Sequence, residues 1–199
     1  MDLKTLSDKD WQYNAAGLEE AYHLVYYIRN KGDVTNWTTR VSKFKNRSDE
    51  ADYQIIKGIT IDAFLKSGLK FDFVIRVLGH NETVAKKDAN IREYACDIAS
   101  AINAVYLGQL LNKRKVTQPL HMLYTKAERQ AEMKDVFFIN YDKYDLNNKK
   151  ILIIDDITTS CTTVAEMVKT IKAKWPQAKC YLFCLARTER NDINANVNI

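Results

Sequence analysis

Residues 151–164 read ILIIDDITTSCTTV, and this stretch decides the class of fold. Ile151 to Ile154 follow a single lysine, Lys150, as an unbroken apolar run, the pattern of a strand buried on both faces of a parallel sheet. Two acids come next, then a run of hydroxyl residues. From Thr163 the pattern changes period: Val164, Met167, Val168 and Ile171 recur at helical spacing, which predicts a helix over 163–175, with Pro176 just beyond its end. Tyr181 to Ala186 is a second apolar strand. Strand, loop, helix and strand in this order make a βαβ crossover, which joins parallel strands.

Working outward, Phe71 to Leu78, FDFVIRVL, reads as a strand followed by Gly79. The spacing of Ile91, Tyr94, Ala95, Ile98, Ala99, Ile102, Val105 and Tyr106 predicts a helix, with Asp88 as its N-cap. Thr125–Met133 and Ile55–Leu65 also read as helices. Trp37–Lys45 has no decisive pattern. Leu18, Ala21, Tyr22, Val25 and Tyr26 stand at helical spacing and predict a helix over 18–29, stopped by Asn30-Lys31-Gly32-Asp33. The expected fold is α/β, a mainly parallel twisted sheet flanked by helices. Residues 71–199 would form its core, and residues 1–70 a polar lead-in and a helical segment, placed to act as a hood.

The 199-residue length suits one domain with a modest added lobe, and the 46% apolar content supports a buried core. The net charge of +5 is spread along the chain without dense basic blocks, so nucleic acid is not indicated as a partner, whereas a polyanionic small molecule is compatible. Cys96, Cys161, Cys180 and Cys184 contain no Cys-x-x-Cys pair, which argues against a zinc ribbon and fits reduced thiols in the cytoplasm. The opening residues, MDLKTLSDKDW, are too polar for a signal peptide, and no apolar stretch is long enough to span a bilayer.

Chemistry concentrates after the strand. Thr158, Thr159, Ser160, Thr162 and Thr163 place five hydroxyls around Cys161 at the start of a helix, where unpaired amides and the helix dipole favour an anion. Asp155 and Asp156 would repel a bare phosphate. They make sense beside a ligand that also carries hydroxyls or a developing positive charge, as a ribose 5-phosphate does. Its phosphate would lie in the 159–163 loop and its 2- and 3-hydroxyls would donate to the acids. The plainer reading is that the acids are turn residues and the hydroxyls ordinary caps. A flavin-phosphate loop is a further alternative, which the two acids disfavour.

The segment resembles the phosphoribosyl pyrophosphate (PRPP) motif of type I phosphoribosyltransferases, in which an apolar strand ends in two acids and enters a Thr-Thr-Gly-x-Thr-like loop. Across residues 37–188 the likeness is closest to the competence protein F (ComF) family. Val41–Lys45, VSKFK, resembles that family's early Lys-Tyr/Phe-Lys patch, Phe71–His80 its first strand and pyrophosphate loop, and Lys87–Asn90 its Arg-Gly-Phe-Asn patch. Arg114, Thr117, Leu123, Arg129 and Phe137 fall along its next stretch, and Leu185–Thr188 at its end. The resemblance implies a phosphoribosyl transfer: a nucleophile, often nitrogen, attacks C1 of PRPP and pyrophosphate leaves. It implies Asp155 and Asp156 as catalytic residues, Thr158–Thr163 on the phosphate, and Arg76, Gly79, His80, Lys87 and Arg129 on the pyrophosphate. It also implies Mg²⁺, carried by the substrate and assisted by the two acids. A homodimer or a protein partner is compatible with it.

Three departures stand out. Cys161 occupies the family's glycine position, which costs on the order of 1–3 kcal/mol if φ is positive there. The proline-rich pyrophosphate loop is replaced by Arg76-Val77-Leu78-Gly79-His80, and the family's opening four-cysteine zinc element has no counterpart. These departures also admit a second reading: a PRPP- or nucleotide-binding regulator with little or no turnover, in DNA uptake or phage defence.

Overall fold

The computed structural model describes residues 1–6, 16–28, 32–87, 89–140, 143–189 and 192–197. Six strands form one sheet: β1 (Lys4–Thr5), β2 (Glu20–Ile28), β3 (Phe73–Arg76), β4 (Val105–Tyr106), β7 (Lys150–Thr158) and β8 (Lys179–Glu189). Their spatial order is β1-β2-β8-β7-β3-β4, parallel throughout except for β1, which runs antiparallel to β2 at the edge. β5 (Leu111–Lys113) and β6 (Phe137–Ile139) make a separate antiparallel pair.

The helices are α1 (Trp37–Asn46), α2 (Glu50–Ser67), α3 (Asn90–Ala101), α4 (Lys126–Met133) and α5 (Thr162–Lys174). The sheet separates two apolar cores, as two-sided burial of a parallel sheet requires. Val41, Phe44, Tyr53, Ile56, Phe64, Tyr94 and Ile98 of α1, α2 and α3 pack on one face with Val74, Leu152 and Phe183. Val164, Met167, Val168 and Ile171 of α5 pack on the other with Ile75, Ile153 and Leu182. This is the expected α/β architecture, and the elements read at 55–65, 71–78, 125–133 and 150–186 are all present. Thr125 closes a capping box with Glu128 at the start of α4.

The stretch expected to be a helix over 18–29 is instead strand β2, in register with β8 from Glu20↔Tyr181 to Ile28↔Glu189. Residues 21–28, AYHLVYYI, are apolar at almost every position, so helical spacing is matched by default. The strand is decided by aromatic and β-branched content and by burial on both faces, with Ala21 in one core and Tyr22 and Leu24 in the other. Arg29 of the expected helix and Asn30 and Lys31 of the expected stop lie outside the described residues. Residues 1–70 therefore supply two strands as well as α1 and α2, rather than a purely helical segment.

The helix expected to reach Tyr106 ends at Ala101. Asn103 turns left-handed (φ 55°), and Val105 and Tyr106 become β4, paired with Phe73 and Val74. An asparagine tolerates that conformation and stops the helix. Asp88, the expected N-cap, lies outside the described residues. Trp37–Lys45, indecisive in sequence, is helix α1. No helix among the described residues is long and apolar enough to cross a membrane.

Candidate functional site

The direction of chain winding reverses between β3 and β7. From β3 the chain passes through α3 to β4 on one side; from β7 it passes through α5 to β8 on the other, and the two helices cover opposite faces. Such a reversal opens a crevice beyond the carboxyl ends of the strands. Register sharpens it. β3 pairs with β7 only as far as Arg76↔Ile154, whereas β8 follows β7 to Thr158↔Arg187. Residues 155–158 therefore have a strand on one side and no strand partner on the other, and Asp156 among them lines a cleft.

Asp155 and Asp156 stand at that opening, each half-buried. The Asp156 N–H donates to Asp155 Oδ1 (2.9 Å) and the Ile157 N–H to Asp156 Oδ1 (2.6 Å). Burial, and then the charge of Asp156 beside it, push the Asp155 carboxyl well above the ordinary range. Lys45 Nζ, at the end of α1, meets Asp156 Oδ2 at 3.1 Å. Burial works against the lysine charge, but Asp156 and then Asp155 outweigh it and hold the ammonium pKa above its usual value. Phe44, Lys45, Asn81, Glu82, Lys86, Asn90 and Asp156 line a cleft of about 300 Å³ here.

The hydroxyl loop follows directly. Thr158 ends β7, and its Oγ1 lies 3.6 Å from Cys161 Sγ; Ser160 Oγ and Thr162 Oγ1 are 3.0 Å apart. Cys161 is the N-cap of α5, at φ 51° and ψ 13°, with no side-chain hydrogen bond closing the helix start. The position thus has the left-handed geometry that glycine favours, and a buried cysteine carries its strain. Burial pushes its thiol up to about 11, so it is no nucleophile at neutral pH. Ser160, Cys161 and Thr162 face a second cavity of about 700 Å³, between α4 and α5, which shares no lining residue with the acid cleft.

No protein-family model matches the chain. By sequence it is similar to the hypoxanthine phosphoribosyltransferase of Buchnera aphidicola subsp. Schizaphis graminum (strain Sg), at 24% identity over 132 residues, covering 65% of this chain and 73% of that protein. By structure it is similar to adenine phosphoribosyltransferase from Leishmania tarentolae, with a TM-score of 0.52 and 11% identity, covering 96% of this chain and all of the other (100%). The chain has the type I phosphoribosyltransferase fold. It also aligns with the allosteric regulatory enzyme of purine biosynthesis at a TM-score of 0.41 and 16% identity; 65% of this chain spans 25% of that one.

Within this phosphoribosyltransferase-like frame, the residues expected on the pyrophosphate side separate. Arg76 is engaged inside the protein. It is buried, its Nη1 and Nη2 donate to the two Glu82 carboxylate oxygens (2.8 and 2.6 Å), and Nη1 also donates to the Val77 carbonyl. Burial alone would raise the Glu82 pKa; Arg76 and the Gly79 and Lys86 N–H groups overcome it and bring it to about 2. Gly79 belongs to the same knot: its N–H donates to Glu82 Oε2 (2.6 Å), and a Cβ there would lie 3.2 Å from that oxygen. Lys113 Nζ donates to the Gly79 carbonyl (2.8 Å), and Thr117 N–H and Oγ1 to that of His80. Burial lowers the Lys113 ammonium to about 8.

His80 and Lys87 are exposed and line neither cavity. Arg129, on α4, donates to the Leu123 carbonyl and is likewise outside the acid cleft. Sequence reasoning missed Glu82, Lys86 and Lys113 altogether, since a lone charge outside a motif gives no signal. Lys45 was visible only through the VSKFK resemblance. Asn90, noted in sequence for its place in a motif, acts through its amide, which donates to the Phe44 and Lys45 carbonyls and ties the end of α1 to the start of α3.

Proposed function

We propose that the chain is a phosphoribosyltransferase that binds PRPP at the β7–α5 turn and transfers its phosphoribosyl group to a nitrogen acceptor, releasing pyrophosphate. The observation that carries this reading is the acid pair at the end of β7, set at the winding reversal and continuous with an uncapped helix start. The 5-phosphate would accept from the amides and hydroxyls of Thr159–Thr163. Asp155 and Asp156 would accept from the ribose hydroxyls and face the positive charge growing at C1. One carboxylate at about 4 Å, with an effective dielectric near 20, contributes at most ~4 kcal/mol, equivalent to about a thousandfold in rate.

Two adjacent carboxylates suit a hard cation that keeps most of its water and is held mainly by the substrate. When bound, Mg²⁺ would neutralise charge on the leaving pyrophosphate. The order of the shorter motifs supports a competence protein F-like branch as the finer family reading. Hypoxanthine, the base in the sequence relative's name, is the first acceptor to test.

Calorimetry with PRPP and Mg²⁺ tests the site. The wild type should bind saturably, and the Asp155→Asn/Asp156→Asn variant should lose at least roughly tenfold in affinity, as expected for lost charge-assisted hydrogen bonds. Equal heats for both proteins refute the assignment. Pyrophosphate release on adding hypoxanthine tests turnover.

A further inference from the structure

With Arg76 closed against Glu82, the crevice still needs positive charge for a pyrophosphate group. Among the described residues the cleft itself is lined by two ammonium groups, Lys45 and Lys86. Lys45 is the one in contact with the acid pair. We propose that Lys45, delivered by α1 from outside the strand ends, binds the pyrophosphate of PRPP, exchanging its ion pair with Asp156 for the diphosphate when the substrate enters. This rests on the PRPP reading above and adds a residue to it.

The geometry supports such an exchange. The Lys45 side chain is 54% exposed and that of Asp156 22%, so the lysine end of the pair is open to solvent and its ammonium can turn from the carboxylate to an incoming diphosphate. The backbone beneath it is fixed. Asn90 holds the carbonyls of residues 44 and 45, and Phe44 packs against Tyr94 and Tyr53 at ring separations of 4.8 and 5.4 Å. Only the four-carbon stem of the lysine has to move. In the free protein the ammonium offsets part of the repulsion between the two acids; in the complex it would stabilise the departing diphosphate, leaving Asp156 to the ribose. The site would then distinguish PRPP from ribose 5-phosphate by a residue that lies outside the 151–164 segment.

The test titrates wild type, Lys45→Met and Lys45→Arg with three ligands: Mg²⁺–PRPP, Mg²⁺–pyrophosphate and ribose 5-phosphate. Lys45→Met should weaken PRPP and pyrophosphate by about ten- to a hundredfold, the scale of one charge-assisted contact. Ribose 5-phosphate should stay within about twofold on the same scale, which also shows that the variant is folded. Lys45→Arg should restore most of the loss. Equal weakening of all three ligands, or unchanged pyrophosphate binding in Lys45→Met, overturns the role of Lys45 while leaving the PRPP site standing. A wild type that binds neither PRPP nor ribose 5-phosphate overturns both.

Discussion

The ends of β3 and β7 lie side by side on one crevice and are treated in opposite ways. Beyond β3, Arg76 and Glu82 are matched to each other inside the protein: a buried ion pair, two backbone N–H donors on Glu82, and Lys113 and Thr117 holding the carbonyls of Gly79 and His80. Beyond β7 the groups are left in tension. Asp155 is crowded by Asp156, Cys161 sits left-handed, and no side chain caps α5. The first region is a prebuilt wall; the second keeps its unmet electrostatic demand for a ligand. Departures from local rules often mark a ligand site, and the β7 turn combines two of them, the crowded acid pair and the left-handed Cys161.

The largest effect expected from this contrast is on the wall. Glu82→Gln strips Arg76, whose side chain is fully buried (0% exposed), of its counter-charge and should cost about 3–5 kcal/mol in urea unfolding at pH 7. Because folding lowers the Glu82 pKa from its ordinary 4.5 to about 2, its contribution is complete above pH 4.5 and is lost as pH falls through about 2. A loss under about 1 kcal/mol would mean that the wall is held by something else.

A smaller effect is expected at Cys161. Cys161→Gly relieves the left-handed strain and Cys161→Ala keeps it, so the glycine variant should be the more stable by about 1–2 kcal/mol, measured by thermal unfolding. The reverse order would show that burying a side chain there outweighs backbone geometry.

The smallest effect reverses the usual sign. Folding raises the Asp155 pKa, so the protein is free of this penalty below the ordinary carboxylate range and loses stability as pH rises through the folded value. Asp155→Asn should therefore stabilise the fold at pH 7, on the order of 1 kcal/mol, while weakening PRPP binding. A lower melting temperature for this variant at pH 7 would remove the tension argued for β7.

Residues 151–186 carried most of the fold in plain view, because a strand buried on both faces must be apolar and a helix beside it must keep its period. The same segment exposed the acids and the hydroxyl loop, since chemistry that needs adjacent backbone and side-chain groups is written contiguously. Strand β2 was illegible for the converse reason: where nearly every residue is apolar, period carries no information and only pairing with β8 chooses the strand. Partners distant in sequence were hidden as well. That Arg76 is consumed by Glu82, that Lys113 holds Gly79, and that Lys45 reaches Asp156 depend on how a loop and a helix dock against the sheet, because an isolated charge has the same sequence signature on a surface as in a site. Local order and the chemistry of the β7 turn were thus set by the chain's own pattern; which charges are spent inside the protein and which remain for a ligand was decided only by tertiary packing.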